Sequence, residues 1–111
     1  RQTVEAALSR LPALQALAPA DRAFAQRMLR ETLRRKGQTD ALLDAWIERP
    51  LTGKLQKLRH ALQLGLTQLL WMDVPAHAAV HLTVELARQL GFTAQVKLAN
   101  AVLQRAAREG A

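Results

Sequence analysis

The sequence predicts an all-α fold, a compact bundle of six to seven helices without strands. Half of the 111 residues are hydrophobic, which is enough to bury the core of one domain. Aromatic residues make up only 4% of the chain, and Ala and Leu outnumber the β-branched residues, a composition that favours helices. We therefore expect residues 1–111 to form a single helical domain.

Four helices are expected in the first half of the chain. Their expected bounds are Thr3–Arg10, Ala13–Leu17, Asp21 to Lys36, and Thr39 or Asp40 to Ile47. Asp21 is placed as an N-cap because its carboxylate can accept from the first free backbone N–H groups. Gly37 and Pro50 are expected to end the last two of these helices. The inner face of the third helix is predicted to comprise Phe24 or Ala25, Met28, Leu29, Thr32 and Leu33.

Three longer helices are expected in the second half. Their bounds are Lys54 to Trp71, Pro75–Leu90 and Thr93–Arg108. The first carries a leucine stripe at the 3.6-residue period, formed by Leu55, Leu58, Leu62, Leu66 and Leu69. Pro75 suits a first helical residue, and Gly91 suits a left-handed helix stop. Thr93 is expected to be the N-cap of the last helix.

The charge of the chain is strongly positive and unevenly distributed. The net charge is +7 and the sequence pI is near 11.3. Residues 1–60 hold 12 Lys and Arg against 6 Asp and Glu, whereas residues 61–111 hold 4 against 3. Such an imbalance indicates a polyanionic partner, and RNA, DNA and an anionic membrane surface would all satisfy it.

Several functional classes are disfavoured by composition. The chain has no cysteine, so it can form neither a disulfide framework nor a thiolate zinc site. No apolar run approaches the roughly 20 residues of a membrane span, and no signal peptide is visible. We therefore expect a cytoplasmic protein with no membrane partner.

A cluster of basic residues is the main candidate binding site. Arg27, Arg30 and Arg34 are spaced i, i+3, i+7, so they share one helix face. Contacts of such residues with phosphates would position the protein on RNA. The alternative is a solvated face whose charge Glu31 and Asp40 partly neutralise. The predicted RNA-binding residues are Arg27, Arg30, Arg34, Arg35, Lys36, Lys54 and Lys57.

Three further groups of residues are weaker candidates for a site. His77, His81 and Glu85 are spaced i, i+4, i+8 on one helix, but no motif supplies further metal ligands, so packed or capping histidines are the expected reading and no metal is predicted. Asn100 lies among Ala, Val and Leu and is expected to be buried with a hydrogen-bond partner, with base recognition as the alternative. Trp46 and Trp71 are expected to pack at the core or its rim, with stacking on a base as the alternative.

No motif for catalysis is visible. Thr52-Gly53-Lys54 lacks the upstream glycine and the spacing of a phosphate loop. The sequence has no strand followed by a glycine-rich turn for S-adenosylmethionine or a dinucleotide, and it has no cysteine nucleophile. The sequence therefore predicts a binding domain with no catalytic residues and no cofactor of its own.

A series of short motifs, in order and with consistent spacing, resembles the NusB-like RNA-binding family. The motifs include Asp21-Arg22, Leu33-Arg34, Pro50-Leu51, Gln68-Leu69-Leu70, His77-Ala-Ala-Val80, Val84-Glu-Leu-Ala-Arg88, Gly91 and Asn100-Ala-Val-Leu103. Two of these motifs, His77-Ala-Ala-Val80 and Val84-Glu-Leu-Ala-Arg88, are most similar to the N-terminal domains of bacterial 16S rRNA cytosine-C5 methyltransferases of the RsmB/Sun type.

This resemblance implies an all-helical domain that docks rRNA for a catalytic domain. The catalytic domain would use S-adenosylmethionine and a cysteine nucleophile, and it would be both a partner of this domain and a later part of the same protein. The chain is then expected to be a fragment of a longer methyltransferase. Two alternatives remain open: a stand-alone transcription antitermination factor that binds RNA with a protein partner, and a protein-interaction module that binds no nucleic acid. The oligomeric state is left open.

Overall fold

Five α-helices and two short 3-10 helices form residues 15–110, the part of the chain that a computed structural model describes. The α-helices are α1 (Pro19–Arg34), α2 (Lys36–Trp46), α3 (Gln56–Trp71), α4 (Ala76–Gln89) and α5 (Val96–Glu109). The 3-10 helices, Gly53–Leu55 and Thr93–Gln95, precede α3 and α5. No strand occurs within this range, so the all-α class is confirmed. The predicted helix Thr3–Arg10 lies outside the described residues, and Ala13–Leu17 lies partly outside them.

Helix α3 is the centre of the bundle, because each of the other four α-helices packs against it. Its residues Leu58, Leu62 and Leu66 are completely buried, as the leucine stripe predicts. Residues of α4 and α5 close the core around this stripe, among them Val80, Ala87, Ala99, Val102, Leu103 and Ala106. The three middle leucines of the predicted stripe are therefore confirmed as core residues, while the first and last, Leu55 and Leu69, are partly buried at its edge.

Gly65 allows the close approach of α3 to α4 and α5. A Cβ atom at this position would overlap the hydroxyl oxygen of Thr83 and would lie 2.9 Å from Cδ2 of Leu103. Thr83 is itself buried, and its hydroxyl donates to the carbonyl oxygen of Ala79 at 2.7 Å. Only a residue without a side chain fits between these two neighbours without displacing them.

The boundaries of α1 differ from the predicted ones. Ala18 is the N-cap and Pro19 follows it, so Asp21 lies within the first turn and is not the cap. Pro19 suits this position because the first helical N–H groups have no partner within the helix. The helix ends at Arg34, and Arg35, with φ −96° and ψ 8°, separates α1 from α2. The prediction that Gly37 ends this helix is wrong, since Gly37 is the second residue of α2.

Helix α2 begins earlier than Thr39 or Asp40, so neither residue is its N-cap. Thr39 is buried inside the helix, and its hydroxyl donates to the carbonyl oxygen of Lys36 at 3.1 Å. Asp40 accepts from Nζ of Lys36 at 2.8 Å, an i, i+4 pair that stabilises the first turn. Both side chains make bonds inside the protein that a cap position would not allow.

The predicted stop between α4 and α5 is found, whereas the predicted first residue of α4 and the predicted cap of α5 are not. Gly91 has a φ of 93°, and its N–H donates to Arg88 while the N–H of Phe92 donates to Ala87. This pair of bonds is the Schellman arrangement, and it confirms Gly91 as the stop. Pro75 is the N-cap of α4 and not its first residue, and Thr93 starts a 3-10 helix without capping α5.

The predicted inner face of α1 is less buried than expected. None of the residues of α1 is buried in the described part of the chain, and Phe24 and Leu33 are 40% and 50% exposed. Among residues 15–110, the helix packs chiefly against α3 and touches α2. Part of its apolar face lines two grooves in this described surface.

Candidate nucleic-acid interface

The outer face of α1 presents three arginines, as the spacing predicts. Arg27, Arg30 and Arg34 are exposed. The side chain of Arg34 is 73% exposed, and its Nη1 lies 3.7 Å from Oε1 of Glu31, a loose pair that leaves the guanidinium accessible. The three side chains occupy successive turns on one side of the helix, so one polyanionic strand can contact them together.

Arg35 is held at the α1–α2 break. Its Nε lies 3.4 Å from Glu31, its Nη1 donates to Gln38 at 3.2 Å, and its guanidinium carbon lies 5.0 Å from the centre of the Trp71 ring. Such a cation–π contact fixes the guanidinium and joins the break to the end of α3. The structure therefore gives Arg35 a packing role beside the predicted RNA contact.

Lys36 lies next to this break and borders a groove between α1 and α3. Its Nζ donates to Asp40, and its side chain is 58% exposed. Leu29 and Leu33 from α1, and His60 and Leu64 from α3, line the same groove, which has a volume of about 280 Å³. Lys36 is therefore close to the arginine face, with apolar surface beside it.

The structure separates the two remaining predicted residues. Lys57 is exposed and precedes His60 and Leu64 by three and seven residues on α3, so it lies on the side of α3 that faces this groove. Lys54 is also exposed but belongs to the 3-10 helix before α3. Its neighbour Leu55 lines a different cleft, so Lys54 is associated with another part of the surface.

Arg59, two residues after Lys57 on α3, is an interhelical ion-pair residue. Its guanidinium nitrogens lie 2.8 Å from Asp40 Oδ1 and 3.2 Å from Asp44 Oδ1, and its side chain is only 18% exposed. The hydrogen bond from Lys36, followed by that from Arg59, holds the pKa of Asp40 below its ordinary value against the opposing effect of burial. The bonds to Asp40 and Asp44 hold the pKa of Arg59 above its ordinary value, although burial opposes this shift.

A buried amide extends this network, and sequence reasoning missed it. Gln63 is 3% exposed, and its Nε2 donates to Thr39 Oγ1 at 3.1 Å and to Asp40 Oδ1 at 2.8 Å. One signal was available: Asp40 and Asp44 on α2, and Arg59 and Gln63 on α3, are each spaced i, i+4. The spacing puts each pair on one helix face, and only packing shows that the two faces meet.

His77, His81 and Glu85 do not form a metal-ligand set in the described part of the chain. His77 and His81 are exposed, and Glu85 pairs with Arg88. Within residues 15–110 no group of three or more His, Cys, Asp or Glu side chains could hold a metal ion. The expectation of a buried Asn100 is wrong: α5 turns this residue to its exposed side.

Both tryptophans are half-buried and lie beneath an arginine. Trp46 packs against the core, and the guanidinium carbon of Arg105 lies 5.0 Å from the centre of its ring. Trp71 is paired in the same manner with Arg35. Packing at the core rim is confirmed for Trp46, and the cation–π partners are a feature that the sequence did not reveal.

These observations describe an all-helical domain with an arginine-rich outer helix face, and in the described range no helix is long and apolar enough to cross a membrane. Comparison with known families identifies it further. The chain matches the NusB family over residues 1–108, and it belongs to that family. The resemblance read from the short motifs is thereby confirmed and extends to the first residue.

The similar curated proteins are ribosomal RNA methyltransferases by name. Ribosomal RNA small subunit methyltransferase B of Xanthomonas campestris pv. campestris is 44% identical over 92 residues, which cover 83% of this chain and 21% of that protein. The protein of the same name from Xylella fastidiosa strain Temecula1 is 40% identical over 80% of this chain and 21% of its own length. A probable ribosomal RNA small subunit methyltransferase B of Synechocystis sp. is 38% identical over 80% and 20%. The chain thus spans about a fifth of the length of these relatives.

Proposed function

We propose that this chain is an RNA-binding domain that docks rRNA for a cytosine-C5 methyltransferase dependent on S-adenosylmethionine. The observation that carries the proposal is the exposed row of Arg27, Arg30 and Arg34 on a domain of the NusB family. The names of the relatives support rRNA as the ligand, and the matched part is their N-terminal region.

The proposed mechanism is electrostatic positioning. Arginine guanidinium groups pair with phosphate oxygens through fixed, forked hydrogen bonds and release bound counterions, which gives affinity with little dependence on sequence. Lys36 and Lys57 add charge where the groove between α1 and α3 opens. Arg35, held by Glu31 and Trp71, is expected to contribute less, because its guanidinium is already engaged.

Under this proposal the chemistry belongs to a separate catalytic domain of the same protein. Methyl transfer to cytosine C5 in the resembling enzymes proceeds through a cysteine nucleophile, and this sequence contains no cysteine. The catalytic domain would supply that residue and the site for S-adenosylmethionine. The helical domain would hold the rRNA while a target base reaches that site.

Charge reversal on α1 tests the proposal. In the double variant Arg30→Glu and Arg34→Glu, affinity for an rRNA hairpin at low salt should fall at least about tenfold, and the slope of log K against log salt should fall by roughly 2. Filter binding across a salt series measures both quantities. The matched control is Arg88→Glu with Arg108→Glu, which makes the same change in net charge on α4 and α5. Equal losses in the two double variants would show a net-charge effect and would refute the α1 face as the docking site.

A further inference from the structure

A second surface site lies at the opposite end of α2 from the arginine face. The end of α2, the segment before α3 and the start of α5 enclose a cleft with a volume of about 530 Å³. Trp46, Leu51, Leu55 and Leu98 supply apolar walls, while Arg49 and Gln95 supply polar groups. The volume falls within the range of roughly 300 to 1,000 Å³ that is typical of small-ligand sites.

The indole of Trp46 lines this cleft, and it is held in place by a guanidinium that is not itself a lining group. Arg105 lies over the ring of Trp46, and its Nε donates to Glu109 Oε2 at 2.6 Å, so the guanidinium plane is held from two directions. The side chain of Arg105 is still 44% exposed. Aromatic rings and arginine planes of this kind are the platforms on which proteins stack unpaired bases.

The charges around the cleft favour an anionic ligand. Arg49 lines it directly, and the exposed Lys54 and Lys97 adjoin the lining residues Leu55 and Leu98 along the chain. Glu48 is the acidic side chain among the described lining residues, and it opposes these three cations. Arg49 and Glu48 offset each other within the lining, and the adjoining Lys54 and Lys97 make the balance positive, which suits a nucleotide with an apolar base and a charged phosphate.

We propose that an unpaired nucleotide of a bound RNA inserts its base into this cleft against Trp46, with its phosphates toward Arg49, Lys54 and Lys97. The inference rests on the proposed function, because it takes RNA as the ligand. Bases inside a duplex are stacked on one another and cannot enter, so the cleft selects loops and bulges without reading their sequence. It also gives Lys54, which lies apart from the arginine face, a place in RNA binding.

The experiment uses a short RNA hairpin that carries 2-aminopurine at each loop position in turn, and the same hairpin with an abasic site there. Binding to the whole chain should quench the fluorescence at one loop position, because the base stacks on Trp46. The variant Trp46→Leu should bind the base-containing hairpin about tenfold more weakly than the wild type does, whereas the abasic hairpin should bind both proteins equally.

Controls separate this inference from the proposed function. Trp71→Leu removes the other arginine-stacked indole and should leave the ratio of base-containing to abasic affinity unchanged. Circular dichroism checks that Trp46→Leu is folded, and the fluorescence of the hairpin with the wild-type protein needs no variant at all. If the double variant Arg30→Glu with Arg34→Glu weakens RNA binding, but the wild type shows neither quenching nor dependence on the base, the cleft proposal alone is overturned. If binding depends on the base but the double variant binds as well as the wild type, the α1 face alone is overturned. If the wild type does not bind RNA at low salt, both are overturned.

Discussion

At the level of single residues, the carboxylate of Asp40 accepts hydrogen bonds from three side chains and links α2 to α3. Its carboxylate accepts from Lys36 on its own helix and from Arg59 and Gln63 on α3. A buried amide and a largely buried guanidinium are costly unless each is paired, and the carboxylate serves both. The pair Arg59–Asp40 therefore fixes α2 on α3 and leaves Arg59 unsuited to bind a phosphate.

Replacement of Asp40 should reveal this role through stability and its dependence on pH. The variant Asp40→Asn should lower the free energy of unfolding by about 1–3 kcal/mol at pH 7, since a charge-assisted bond to Arg59 is lost. The folded-state pKa of Asp40 lies below the unfolded one, so its contribution is present above about pH 4 and is lost as the pH falls through the folded-state value. The wild type should then lose more stability between pH 7 and pH 3 than the variant does, as measured by urea unfolding.

Asp44 offers the control for this prediction. It also pairs with Arg59, but its side chain is 68% exposed, and exposed pairs contribute little. Asp44→Asn should therefore change the stability and its pH dependence much less than Asp40→Asn. A pH profile of Asp40→Asn that parallels that of the wild type would contradict the role given to this carboxylate.

Single residues show where sequence reasoning stops. The spacing of Arg27, Arg30 and Arg34 was sufficient to predict an exposed shared face, because a helix fixes which residues are neighbours. The engagement of Arg59 by Asp40 and the stacking of Arg105 on Trp46 join residues far apart in the chain. Such pairs depend on how helices pack, which one sequence does not determine.

At the level of elements, α3 is the best predicted part of the fold. A leucine stripe with the helical period has one stable solution, which is to face a core, and Leu58, Leu62 and Leu66 are completely buried. Helix ends were less predictable. Thr and Asp generally favour cap positions, but here Thr39 and Asp40 lie inside α2, where Thr39 bonds to Lys36 and Asp40 bonds to Arg59 of α3. The inner face predicted for α1 is less buried than expected, because within residues 15–110 this helix packs mainly on α3 and none of its residues is buried.

Two glycines within helices should respond in opposite directions to the same substitution. Gly65→Ala should destabilise the fold by about 1–3 kcal/mol, because the added methyl group overlaps Thr83 and Leu103. Gly37→Ala meets no atom within 4 Å and should stabilise the fold by about 1 kcal/mol through helix propensity. Thermal or urea unfolding of the two variants checks this pair of signs. A stabilised Gly65→Ala would show that α3 does not approach α4 and α5 as closely as described.

At the level of the whole molecule, the arginine face of α1 and the cleft beside Trp46 lie on different parts of the surface. In the proposed function the arginine face of α1 would hold phosphates wherever they lie along a strand, and in the further inference the cleft beside Trp46 would take a base that is not paired. Together they describe a domain that would position an RNA by charge and shape. The substrate specificity of the proposed methyltransferase would then lie largely in its catalytic domain.

The most direct test of this account is the binding of the chain to an rRNA hairpin and to a hairpin of scrambled sequence, measured across a salt series. The account predicts a steep decrease of affinity with salt and nearly equal affinities for the two hairpins, because phosphate contacts and base stacking carry little sequence information. A clear preference for the rRNA sequence would show that this domain itself reads its target. Absence of binding at low salt would contradict the central claim that the domain docks RNA.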